Sequence, residues 1–164
     1  MGPFLVAIRP WGLHLEVRPP LSAREAEEFN ALFEAACATL AHKGPGWGAL
    51  SDIRTVDIAS TPRDSIVWYM HLARQCGAER TASIHADGRA AAVYAAALRD
   101  AGIAERHRIL VVPDGDPDLI QQAFRWVQDG VEPSFQHLTE GEAGHRNKAS
   151  AVQPGTRIPV AEIV

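Results

Sequence analysis

The spacing of apolar residues changes along the chain, and each change marks an element. Phe4–Ile8 is a short apolar run. Leu13, Leu15 and Val17 alternate with His14, Glu16 and Arg18, the two-residue period of a strand with one face buried. Pro10-Trp11-Gly12 between them is turn material, so the two segments predict a hairpin. From Ser22 the period lengthens. Ser22 and Glu25 form a capping box, and Ala26, Phe29, Phe33, Ala36, Cys37 and Leu40 follow at helical spacing. Gly44-Pro45-Gly46 stops this helix.

Three strand–helix units follow. Trp47–Arg54 reads as a strand, and Thr61 with Pro62 opens a helix carrying Ile66, Val67, Met70, Ala73 and Cys76, closed by Gly77. Thr61 suits the cap and Pro62 the first helical position. Thr81–Ala86 is the next strand. Asp87 caps a helix with Val93, Tyr94, Ala97, Leu98 and Ala101 inward, closed by Gly102. Ile109–Val112 is wholly apolar, which predicts an interior parallel strand covered on both faces. Asp116 and Pro117 open a last helix with Ile120, Ala123, Phe124 and Val127 inward and Gly130 as its stop. Alternating strands and helices with short loops predict an α/β domain with a mixed, mostly parallel sheet, an N-terminal hairpin and crossover helices.

The pattern places this domain at residues 1–130. Residues 131–164 read as an extended C-terminal tail, polar over 139–157 and apolar again over Ile158–Val164. Its composition predicts that the last segment packs extended on its own domain or on a second copy.

Composition narrows the function. The net charge is −4, and Lys and Arg are scattered singly, which argues against a nucleic-acid surface and against a polybasic membrane anchor. No apolar run approaches the ~20 residues of a membrane span. Phe4–Ile8 is too short for a signal peptide, and the N-terminal residues carry no myristoylation pattern, so a cytoplasmic protein is expected. Cys37 and Cys76 lie on apolar helix faces without a CxxC spacing, as reduced, buried side chains do.

In an open parallel sheet, ligands bind beyond the carboxyl ends of the strands. The loops meeting there carry Asp52, Arg54, Asp57, His85, Asp87, Arg89, Asp114 and Asp116. An enzyme would have its site here. Asp87 and Asp116, however, stand where helix caps are needed, and the aspartates would repel phosphate. Asp114 and Asp116 on one turn are too common a pattern to define a metal site. The histidines show no metal-binding spacing and no serine sits in a nucleophile elbow, so neither metal nor cofactor is expected. His85 and Asp87 form a pair in which the carboxylate would orient the imidazole, without a nucleophile nearby in sequence. Trp68, Tyr69 and Leu72 leave two readings open. They point outward, towards a second subunit or an apolar ligand, or they belong to one wide buried face.

The order hairpin–helix–strand–helix–strand–helix–strand–helix resembles the SpoIIAA-like branch of the STAS superfamily of small bacterial domains. The resemblance covers about residues 4–129. It rests on Leu50-Ser51-Asp52-Ile53-Arg54, on Leu72-Ala73-Arg74-Gln75-Cys76-Gly77, on Thr81–Ala86 and on the helix over Asp118–Trp126. It implies a non-enzymatic regulatory or protein-interaction module, with a protein partner and a homodimer as its associations. It also makes an apolar small molecule or lipid beside the 62–76 helix a second reading. In the antagonists of this superfamily a phosphorylatable serine follows the third strand. The corresponding stretch here runs from Thr55 to Thr61 and lacks that motif, with Asp57, Ser60 and Thr61 as the nearest candidates.

Overall fold

The chain turns back on itself within two residues, Pro10 and Trp11, which places Arg9 opposite Gly12 and closes an antiparallel hairpin. Around it the computed structural model, which describes residues 2–134, builds an α/β domain on one five-stranded sheet. The elements in chain order are β1 (Phe4–Arg9), β2 (Gly12–Val17), α1 (Ala23–Lys43), β3 (Trp47–Asp52), α2 (Arg63–Gln75), β4 (Ala78–His85), α3 (Gly88–Asp100), β5 (His107–Val111) and α4 (Pro117–Asp129). The strands lie in the order β1-β2-β3-β4-β5, with β1–β2 antiparallel and every other pair parallel.

Each step from β2 to β5 moves one strand in the same direction. Right-handed crossovers therefore put α1, α2 and α3 on one face. The packing obeys that rule. Ala26, Phe29, Phe33, Ala36, Cys37 and Leu40 of α1 are buried against β1 and β2, the stripe the sequence predicts. Ile66, Val67 and Met70 of α2 meet Ala91, Tyr94 and Leu98 of α3 over Ile109. On the other face α4 covers Leu50, Ala82, Ile84, Leu110 and Val112. Burial of each such aliphatic side chain contributes about 2 kcal/mol.

Several boundaries differ from the sequence reading. Thr61 does not cap α2: the cap is Pro62, and the Thr61 hydroxyl donates instead to the Asp57 carbonyl at 2.8 Å. Val93 is exposed, while Ala91 and Ala95 take the inward positions of α3. Among the described residues β5 is an edge strand rather than an interior one, and its apolar run reflects cover by α3 and α4. Ile120 and Phe124 are half-buried, whereas Trp126 is buried and donates its indole N–H to the Thr81 carbonyl at 3.0 Å. Of the two cysteines Cys37 is buried and Cys76 half-buried.

Contacts run past Gly130. Pro133 is buried, Glu132 pairs with Arg108 at 2.6 Å, and the Ser134 amide donates to Gln122 Oε1 at 2.8 Å. The Ile158–Val164 segment, and with it the expectation of a docked tail, lies outside the described residues. Among the described residues no helix is long and apolar enough to cross a membrane.

At Gly48 the sheet backbone packs directly on the backbone of α4. A Cβ built on Gly48 would lie 2.2 Å from the Val127 carbonyl oxygen of α4, and one on Gly12 only 1.9 Å from the Gly48 carbonyl oxygen. Gly48→Ala is expected to lower stability by about 3 kcal/mol, because backbone must move to admit the methyl group. Urea denaturation monitored by tryptophan fluorescence checks this.

Candidate functional site

The carboxyl end of the sheet gathers the loop residues that the sequence places there. At the end of β3 the Arg54 guanidinium grips Asp52 at both oxygens, Nε to Oδ1 at 2.9 Å and Nη2 to Oδ2 at 2.6 Å. This bond raises the Arg54 pKa, against the lesser effect of burial. The same guanidinium reaches the loop after β5, where a Cβ on Gly115 would meet Nη1 at 3.0 Å. Asp87 accepts from the Ala90 amide at 2.8 Å and caps α3. Asp116 accepts from the Asp118 amide at 2.9 Å and caps α4. Both caps are as the sequence predicts. Asp114 and Arg89 are exposed.

Asp57, Ser60 and Thr61 form a closed turn ahead of α2. Asp57 accepts from the Ser60 hydroxyl at 2.7 Å and from its amide at 3.3 Å, while Thr61 bonds the Asp57 carbonyl. The Ser60 hydroxyl is the leading cause of a lowered Asp57 pKa. Such side-chain turns are a local alternative to helix, which explains why α2 starts only at Arg63. Ile58, buried between α2 and α3, anchors the loop.

Trp68, Tyr69 and Leu72 lie elsewhere. They pack half-buried against the core cluster that α1 shares with β2 and β3, Trp68 and Tyr69 beside Phe33 of α1. The Tyr69 ring stands edge-on to Phe33 with centroids 5.2 Å apart, and its hydroxyl donates to Asn30 Oδ1 at 2.5 Å. Trp68 completes the cluster, 6.1 Å from Phe33. The six candidate residues thus divide between a loop turn and a helix–helix contact.

The most unusual chemistry is buried, and no sequence motif marks it. Thr81, Ser83 and His85 share the face of β4 beneath α2 and α3, and His107 of β5 joins them. A hydrogen-bonded chain runs from Thr81 Oγ1 to His107 Nδ1 (2.8 Å), from His107 Nε2 to Ser83 Oγ (2.9 Å) and from Ser83 Oγ to His85 Nε2 (2.8 Å). Arg74 also donates to Thr81 Oγ1, at 3.4 Å. The chain ends at His85 Nδ1, which has no partner although His85 is 0% exposed. The Tyr94 ring lies 5.0 Å from His85 and 5.5 Å from His107. Burial drives the His85 pKa down to about 4, with Asp87 and Asp52 opposing weakly, and holds His107 well below its usual value. Burial thus favours the neutral form of both imidazoles. Ser83, at 0% exposure, cannot meet a substrate without movement of α2 or α3. A readable signal exists: Thr81, Ser83 and His85 alternate with Ala82 and Ile84 in a strand that has helices on both sides of it in the chain, so its polar face is covered as well.

Among the described residues no group of three His, Cys, Asp or Glu side chains is placed to hold a metal ion. Comparison of the chain with protein-family models, with curated proteins and with solved structures finds no match in any of the three.

The buried chain has two measurable consequences. Ser83→Ala leaves two imidazole nitrogens without partners and is expected to cost about 2–4 kcal/mol in urea unfolding. The second concerns pH. The unfolded chain binds a proton at His85 near the ordinary value of 6.5, the folded chain only near 4. Stability from this group is complete above pH 6.5 and is lost as the pH falls towards 4, by about 3 kcal/mol. Thermal melts across that range should show the fall, and His85→Gln should make it shallower.

Proposed function

We propose that this chain is a non-catalytic regulatory module of the STAS type, acting in the cytoplasm through protein contacts that include a second copy of itself. The observation that carries the reading is the state of the strand ends. Asp52, Asp57, Asp87 and Asp116 each accept hydrogen bonds from a neighbour in the same loop or cap. A general base needs an imidazole or carboxylate in reach of a substrate proton, and His85, the imidazole nearest this edge, is enclosed. The strand order and N-terminal hairpin support the family assignment as a matter of topology. The cysteines fit a reducing compartment: burial is the leading cause that pushes the Cys37 thiol up to about 12, which leaves it unreactive.

The apolar-carrier reading needs a cavity wall beside α2, and Trp68, Tyr69 and Leu72, which would form that wall, are packed on α1. Native mass spectrometry of the purified full chain separates the two. The expected spectrum contains protein masses alone. A small molecule retained at one per chain would overturn the interaction-module reading in favour of a carrier.

A further inference from the structure

We propose that the free edge of β1, with the outer flank of α1, is the surface on which a second copy of this chain docks about a two-fold axis. This rests on the reading of the chain as a protein-interaction module and names the surface it uses.

The phase of the hairpin shows what β1 offers. Pro3 lies opposite Arg18, and the Arg18 amide donates to the Pro3 carbonyl at 2.7 Å. In an antiparallel pair such bonded positions alternate. Leu5, Ala7 and Arg9 therefore turn their backbone towards β2, while Phe4, Val6 and Ile8 turn N–H and C=O outward. Among the described residues no strand pairs with that side. Edge strands are normally blunted by charge or proline. Here the stretch Phe4–Ile8 has neither, and Pro10, which lacks a donor, marks where the outward ladder stops.

The stretch is self-complementary in one register. A two-fold axis through Val6 sets Phe4 of one copy opposite Ile8 of the other, Leu5 opposite Ala7, and Val6 opposite itself. Every cross-strand pair is then apolar on both faces of the continued sheet. Ile8, 39% exposed in the single chain, gains an aromatic neighbour.

The helix layer points to the same axis independently. Asn30 of α1 faces α2 through Tyr69. Leu32 lies about 160° round the helix from Asn30, on the flank away from α2, and is 44% exposed. Phe29 stands edge-on to Phe4 with centroids 5.5 Å apart, which aligns the two elements. They run in the same direction, because α1 returns antiparallel to β2. Two residues of strand, from Phe4 to Val6, match about four of helix, from Phe29 to Phe33. The exposed leucine thus sits level with the centre of the strand palindrome. Around Leu32 the symmetry sets Glu28 against Ala36 and Glu25 against Thr39, so the carboxylates do not meet.

The test is sedimentation equilibrium of the full chain at micromolar concentration. The wild type is expected to be a dimer. Leu32→Glu, which places two carboxylates at the axis, should weaken it by at least about 100-fold while leaving the circular dichroism spectrum unchanged. Ile8→Lys should act likewise. In a Cys76→Ala background, Leu32→Cys should cross-link into a disulfide dimer under mild oxidation, where the background alone, with Cys37 buried, does not. A monomeric wild type overturns the proposal. So does a dimer that survives both Leu32→Glu and Ile8→Lys, or an edge occupied only by a strand of a different protein. None of these results depends on whether a small molecule is retained, which is the separate measure of the interaction-module reading.

Discussion

The handedness of the crossover connection organises this molecule. Strands β2 to β5 advance in one direction without reversal, and right-handed crossovers then leave no choice of face for α1, α2 and α3. Among the described residues one face of the sheet acquires three helices and the other receives α4 alone, after β5. The unequal layers explain features that look unrelated. The helix α2 is flanked by α1 and α3, so it buries residues on both flanks as well as beneath, and Trp68 and Tyr69 belong to that cover. On the opposite face α4 covers β3, β4 and β5 but only brushes the hairpin, where Phe124 meets Trp11 and His14. That is why His14 and Glu16 are tolerated on β2 at half-burial, with burial lowering the His14 pKa more than Glu16 raises it.

The same cover turns Thr81, Ser83, His85 and His107 into a core feature. Each would be comfortable facing water, and under α2 and α3 each needs a partner instead. The chain of bonds supplies one for all but the last nitrogen. A network of this kind adds little net stability over apolar packing, but breaking it is costly, because the remaining groups are left buried and unpaired. Its partners come from neighbouring strands, so only the observed register of β4 on β5 satisfies them. The two strands are thereby held in register by hydrogen bonds that a one-residue slip would lose.

What the sequence discloses depends on the range of the interactions. The α1 stripe, its capping box and the glycine stop are local, and the structure reproduces them residue for residue. The alternation of strand and helix discloses the fold class for the same reason. Thr61 reads as a cap and is not one, because the competing partner, Asp57, offers a turn within the same few residues, and propensity alone does not rank the two. The edge position of β5 is hidden because cover by helices, not strand neighbours, decides how apolar a strand must be. The buried histidines are hidden by their own alternation, which reads as a wet face until the crossover helices are placed over it. At the candidate edge the caps at Asp87 and Asp116 are legible, while the Asp52–Arg54 clasp and its reach to Gly115 need the loops in space.

The two outer strands of the sheet show how differently its edges are treated. β5 opens with His107 and Arg108. The Arg108 guanidinium lies 4.1 Å from the centroid of the Trp126 ring and pairs with Glu132 beyond α4. A charge held at the strand by an aromatic face and a carboxylate discourages another chain from adding there. β1 has no comparable device between Phe4 and Ile8. It enters by a hairpin rather than a crossover, so among the described residues no connection passes its outer side. Among the described residues the topology that covers one face leaves the outer edge of β1 without a strand neighbour, and that edge carries the apolar, self-matching part of the strand.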